Sequence, residues 1–90
     1  MSLSELQAGM LIAERIARGV LEESRVVADQ ADWIEYTGGA RWDLRLVTLK
    51  HELKVSFFEE ELEDLPGTPE IERRIESRIR DRWRTVRSAV

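Results

Sequence analysis

Along the first third of the chain, Leu3, Leu6, Met10, Ala13, Ala17, Val20, Ser24, Val27 and Ala31 recur at alternating intervals of three and four. That spacing sets one position per turn on a single face, so it predicts a long helix with a heptad-like stripe. Ser2 or Ser4 stands where an N-cap belongs, and Ser2 with Glu5 has the spacing of a capping box. Leu11, Ile12 and Ile16 widen the stripe, and a helix apolar on more than one side touches more than one neighbour. Gly9, Ala13 and Ala17 lie four apart on one ridge that lets another backbone come close. Two partners suit that ridge, the chain's own sheet or a helix of a second copy. The segment RVVAD at 25–29 fits either the end of this helix or a short strand after a helix ending near Glu23.

The period falls to two in the middle of the chain. DWIEYT and ARWDLRLVTLK, joined at Gly38-Gly39, predict a hairpin. Trp42, Leu44, Leu46 and Thr48 share one face of its second strand, with Arg41, Asp43 and Arg45 on the other. LKVSFF predicts a third strand after a turn near 50–52, with Leu53, Val55 and Phe57 on its apolar face. Matching the apolar faces suggests Thr48 opposite Val55 and Leu46 opposite Phe57. Val47, Leu49, Phe58 and Trp33 then fall on the second face, which is only partly polar and so hints at an interface.

The last element is the clearest. Thr68 suits an N-cap and Pro69 the first helical position. Ile71, Ile75, Ile79, Trp83, Val86 and Val90 follow as one apolar stripe. Residues 1–90 therefore read as one small α+β domain of order α-β-β-β-α: a long N-terminal helix, a three-stranded antiparallel meander and a C-terminal helix.

Size and composition narrow what such a domain does. A chain of 90 residues buries only about 60–65 % of its unfolded surface, so its own core is marginal. Disulfides, metals and association are the usual remedies. There is no cysteine and one histidine, which removes disulfides and nearly removes a structural zinc. Association is left as the favoured remedy. The start, MSLSELQ, lacks the basic and apolar regions of a signal peptide, and the longest apolar run, MLIA, is far too short to span a bilayer. The expectation is a soluble cytoplasmic protein with no membrane partner.

Net charge is −4, unevenly divided. Residues 1–69 carry seven basic and fourteen acidic side chains, while residues 70–90 carry seven arginines against four carboxylates. Arg73, Arg80, Arg84 and Arg87 cluster opposite the isoleucine stripe, and Arg74, Arg78 and Arg82 run along its flank. A basic row can lie along phosphates. Equally, glutamates early and arginines late complement the helix dipole, and Glu70–Arg74 and Glu76–Arg80 have pairing distance in sequence.

Other candidates are thinner. Gly38-Gly39 precedes a strand rather than a helix, so it reads as a turn and not a phosphate loop. His51 sits between Lys50 and Glu52, at an exposed hairpin tip with no partner for proton chemistry. Trp33, Tyr36, Trp42, Phe57 and Phe58 beside Arg41, Arg45 and Lys54 resemble a base-stacking sheet in composition, but the strand motif and element order of an RRM are missing. The acidic run Glu59–Asp64 lacks the alternating ligands and central glycine of a calcium loop. Pairing with arginines of the last helix is its expected role. No catalytic residue, cofactor or metal site is implied. The leading expectation is a non-enzymatic protein–protein interaction or structural module, working as a homo-oligomer through Gly9, Ala13, Ala17, Trp33, Val47, Leu49 and Phe58. The alternative is a nucleic-acid-binding protein using Arg73, Arg80, Arg84 and Arg87. An acidic inhibitor or mimic presenting Glu59–Asp64 comes after both.

Overall fold

The computed structural model describes residues 4–36 and 38–88; Ser2, Leu3, Thr37 and Val90 lie outside the described residues. Its elements are α1 (Glu5–Glu23), β1 (Gln30–Glu35), β2 (Arg41–Val47), β3 (Glu52–Phe58), α2 (Glu59–Asp64) and α3 (Pro69–Ser88). This is the expected α+β order with one short helix added before the last.

The start of α1 follows the capping rule, with Ser4 and not Ser2 as the cap. The Ser4 hydroxyl accepts from the Gln7 amide while the Gln7 side chain accepts from the Ser4 amide. Its end explains why RVVAD is neither helix nor strand. Arg25 takes the left-handed conformation at φ 59°, and the Arg25 and Val26 amides donate back to Glu22 and Leu21. That is a Schellman termination, and Val26 packs onto the same core as Leu21, as such an ending favours. Glycine usually fills the position, so arginine there hides the stop.

The sheet is antiparallel in the order β1-β2-β3. Gly38 and Gly39, at φ 102° and 68°, make the first turn. The second turn corrects the expected register. Leu44 lies opposite Val55 and Leu46 opposite Leu53, which moves β3 four residues from the expected alignment. Both alignments match the apolar faces, so the turn decides between them. Thr48 closes it tightly: its amide and hydroxyl both donate to the His51 carbonyl, and the hydroxyl accepts from the His51 amide. Only Leu49 and Lys50 remain as the tip.

Leu44, Leu46, Leu53, Val55 and Phe57 bury the inner sheet face against Ala13, Ala17, Val20 and Leu21 of α1 and Ile75, Ile79 and Trp83 of α3. Between β3 and α3, the run EEELED is a helix and not the expected loop. Leu62 drops into the core, followed by Leu65, and both are fully buried. Pro66 and Gly67, the latter at φ 80°, then turn the chain, with the Thr68 amide donating to the Leu65 carbonyl. Among the described residues no helix is long and apolar enough to cross a membrane.

Candidate functional site

The residues expected at an interface part company. Gly9, Ala13 and Ala17 are buried in their own chain, so the ridge is spent internally. At Gly9 its partner is α2, where a Cβ would stand 1.8 Å from the Leu62 carbonyl oxygen, while Ala13 and Ala17 join the core under the sheet. Trp33 turns to the inner face, because it pairs with Leu44, and its ring lies 5.9 Å from that of Phe57. Val47 stays on the outer face, half-buried, and Phe58 stands there 66 % exposed. Leu49 belongs to neither face but to the hairpin tip, where it is 95 % exposed.

The two edges of the sheet are treated differently. The Tyr36 amide donates to the Arg41 carbonyl, so the even positions of β1 bond to β2 and Ala31, Trp33 and Glu35 direct their backbone groups outward. None of those outward groups has a partner among the described residues. On β3 the outward positions are Glu52, Lys54, Ser56 and Phe58, and each of the last three has one outward backbone group engaged. Arg82 donates to the Lys54 carbonyl at 3.2 Å, Arg78 to the Ser56 carbonyl at 3.2 Å, and the Phe58 amide donates to Glu61. Side chains thus blunt one edge and leave the other bare. Beside the bare edge, Met10 and Leu11 of α1 adjoin Trp33 in a shallow apolar hollow, with Leu11 55 % exposed. Ile34 is exposed on the opposite face. The width of the α1 stripe already marks Met10 and Leu11 as a second apolar side, whereas Ile34 is not among the residues expected at an interface.

The arginine row is mostly occupied within the chain. Arg80 forks onto Glu23 at the end of α1 and reaches Glu76 on its own helix. Its hydrogen bonds hold the Glu23 carboxyl below its ordinary range, and Glu23 with Glu76 raises Arg80. Arg87 donates to the Ser24 hydroxyl at 2.9 Å and lies over the Trp83 ring, while Arg84 pairs with Asp81. Arg73 is exposed and has no ion-pair partner among the described residues. His51 is not a solvated tip residue: it is half-buried, its ring edge-on to Trp83 at 5.6 Å.

Within the acidic run, Glu61 faces Arg78 in a two-pronged pair, with one contact at 3.0 Å, and Glu59 accepts from the Trp42 indole. Pairing with the final helix in the same chain is what the run does, but through one carboxylate. Glu61→Gln alone is therefore expected to lose about 1–2 kcal/mol in urea denaturation, since a charge-assisted fork on a half-buried arginine is broken. Glu60→Gln should leave the midpoint unchanged; equal losses in both variants would make the effect a general one of helix charge.

On the outer face, Asp43 is only 1 % exposed. Its carboxylate accepts from the Ser56 hydroxyl at 2.7 Å and the Tyr36 hydroxyl at 2.9 Å, with Arg41 at 3.5 Å and Lys54 at 3.9 Å. Burial pushes this carboxyl up. The two hydroxyl hydrogen bonds and the two cations outweigh that and hold it below the usual aspartate value. Asp43 was expected on the polar face, but its burial was not.

No protein-family model, curated protein or solved structure matches the chain. Among the described residues, no three carboxylate or imidazole side chains gather as a metal would require.

Proposed function

We propose that this chain is a small, non-enzymatic cytoplasmic interaction module that works as a homo-oligomer, adding a second copy at the bare edge of β1. The observation that carries the reading is the contrast between the two sheet edges. Arg78, Arg82 and Glu61 each take up one outward backbone group of β3, at Ser56, Lys54 and Phe58, whereas those of Ala31, Trp33 and Glu35 on β1 meet none among the described residues. An unpaired strand edge is a template for another strand.

A second copy suits this edge because a two-fold axis at Trp33 sets no like charges opposite one another. Antiparallel pairing about that axis puts Trp33 opposite its own copy, Ala31 opposite Glu35, and Asp32 opposite Ile34. The same axis brings Leu11 beside the junction on the helix side, so apolar surface is covered together with the backbone. Nucleic-acid binding through Arg73, Arg80, Arg84 and Arg87 draws less support, since three of the four already have partners in the chain.

Light scattering after size exclusion should give a mass twice that of the chain at micromolar concentration. Ala31→Pro removes an outward amide without touching the ladder to β2, so it should yield a folded monomer. Leu11→Glu is expected to do the same by charging the junction. A wild-type monomer, or a dimer unchanged in both variants, would refute the reading.

A further inference from the structure

The outer face of the sheet holds charge that the interaction proposal does not use. A hollow of about 440 Å³ lies over β2 and β3, lined by Tyr36, Arg41, Asp43, Lys54, Ser56, Arg78 and Arg82 among others. Arg78 is neutralised by its fork with Glu61. The remaining cations, Arg41, Lys54 and Arg82, face a single carboxylate, Asp43, so two positive charges stand in excess. On a protein of net charge −4, that is a local reversal of sign.

These cations are held, not scattered. Arg41 donates to the Ser56 hydroxyl at 3.0 Å and stacks over the Tyr36 ring at 4.4 Å, while Arg82 is fixed by the Lys54 carbonyl. Asp43, almost fully buried, is the counter-charge that Arg41 and Lys54 share. The Lys54 ammonium makes only its long contact to Asp43, and the terminal nitrogens of Arg82 have no partner among the described residues. Like charges kept this close repel one another, and one buried carboxylate does not offset three cations. An anion carrying two charges and several acceptor oxygens would balance the site and take up the remaining donors.

We propose that this hollow binds a phosphate group, with Arg41, Lys54 and Arg82 as its ligands. The site differs from the β1 edge and survives the failure of the homo-oligomer reading. Phosphate-bearing ligands come from two sources here, a free phosphate ion or a nucleotide. Phe58, exposed opposite Arg41 on β3, offers a ring to a base only in the second case.

The test is calorimetric titration of the wild-type chain at low salt with inorganic phosphate, with a nucleoside monophosphate and with acetate. Phosphate is expected to bind in the millimolar range or tighter, and acetate at least about tenfold more weakly, as its single charge requires. Lys54→Ala and Arg82→Ala should each lower phosphate affinity about fivefold or more, and the double variant should abolish it. Arg84→Ala, on a charge outside the hollow, should leave it unchanged. A nucleoside monophosphate that binds about tenfold tighter than phosphate, and loses the gain in Phe58→Ala, identifies a nucleotide; equal affinities identify the ion. No binding at 10 mM (a ceiling of about −2.7 kcal/mol) overturns the proposal. So does equal binding of acetate, an equal loss in Arg84→Ala, or binding of a single-stranded oligonucleotide with neither small ligand.

Discussion

Gly9→Ala is expected to destabilise the protein by about 2–3 kcal/mol, a fall in Tm on the order of 10 °C, although alanine is the better helix former. The added methyl would meet the Leu62 carbonyl oxygen at 1.8 Å. That atom is backbone, so no rotamer change relieves the clash. Leu62 and Leu65 anchor α2 in the core, and α2 can retreat only by lifting both. Gly19 provides the control within the same helix. A Cβ there meets nothing within 4 Å, so Gly19→Ala should gain up to about 1 kcal/mol from reduced backbone freedom in the unfolded chain. Thermal denaturation of the two variants should therefore move in opposite directions. A Gly9→Ala variant as stable as wild type would mean that α2 shifts freely and is not fixed by its two leucines.

The second large effect is at Asp43. Asp43→Asn is expected to lower stability by about 2 kcal/mol. The amide cannot accept from the Ser56 and Tyr36 hydroxyls at both of its atoms, and Arg41 and Lys54 lose their counter-charge. The pH dependence follows from the same contacts. The carboxyl is held below its ordinary value in the folded state, so the unfolded chain binds the proton more readily. Its contribution is complete above the unfolded aspartate pKa of about 3.9 and fades as pH falls through the lower folded value. Urea midpoints measured from pH 6 to pH 3 should decline less steeply in Asp43→Asn than in wild type. Parallel curves would place the acid sensitivity at other carboxylates.

Both sites show how far the sequence can be read. The ridge of Gly9, Ala13 and Ala17 announced a close approach of backbone, but its partner at Gly9 was hidden in EEELED. Leu62 is the only apolar residue there, too few to mark a helical face, and five carboxylates look like a solvated loop. Strand faces were legible for β2 and β3 because polar and apolar residues alternate from Arg41 to Leu46 and from Glu52 to Phe57. They were not legible for β1, where Trp33 and Ile34 stand side by side and either could point inward. The register slipped because period two fixes which face a residue takes and not how far the strand slides. That distance was set by Thr48, whose hydroxyl closes a two-residue turn. Asp43 was correctly assigned to the polar face, yet its burial depends on Tyr36, Ser56 and α3 crowding around it. The two sheet edges became distinct only once Arg78 and Arg82 were seen to bond backbone across some 25 residues of chain.

The cover that α3 provides has a consequence for the order in which the chain matures during synthesis. The inner sheet face is complete once β3 has been made, but Ile75, Ile79 and Trp83 close it from the far side of α2. The ties that seat them, Arg80 to Glu23, Trp83 to Ser24 and Arg87 to Ser24, join residues 57 to 63 apart. A nascent chain halted at Thr68 would thus present Leu44, Leu46, Val55 and Phe57 covered by α1 and α2 but not by α3, beside the unpaired edge of β1. Such a half-made product is a client for chaperones, and a chain stalled there should aggregate where one extended past Trp83 does not.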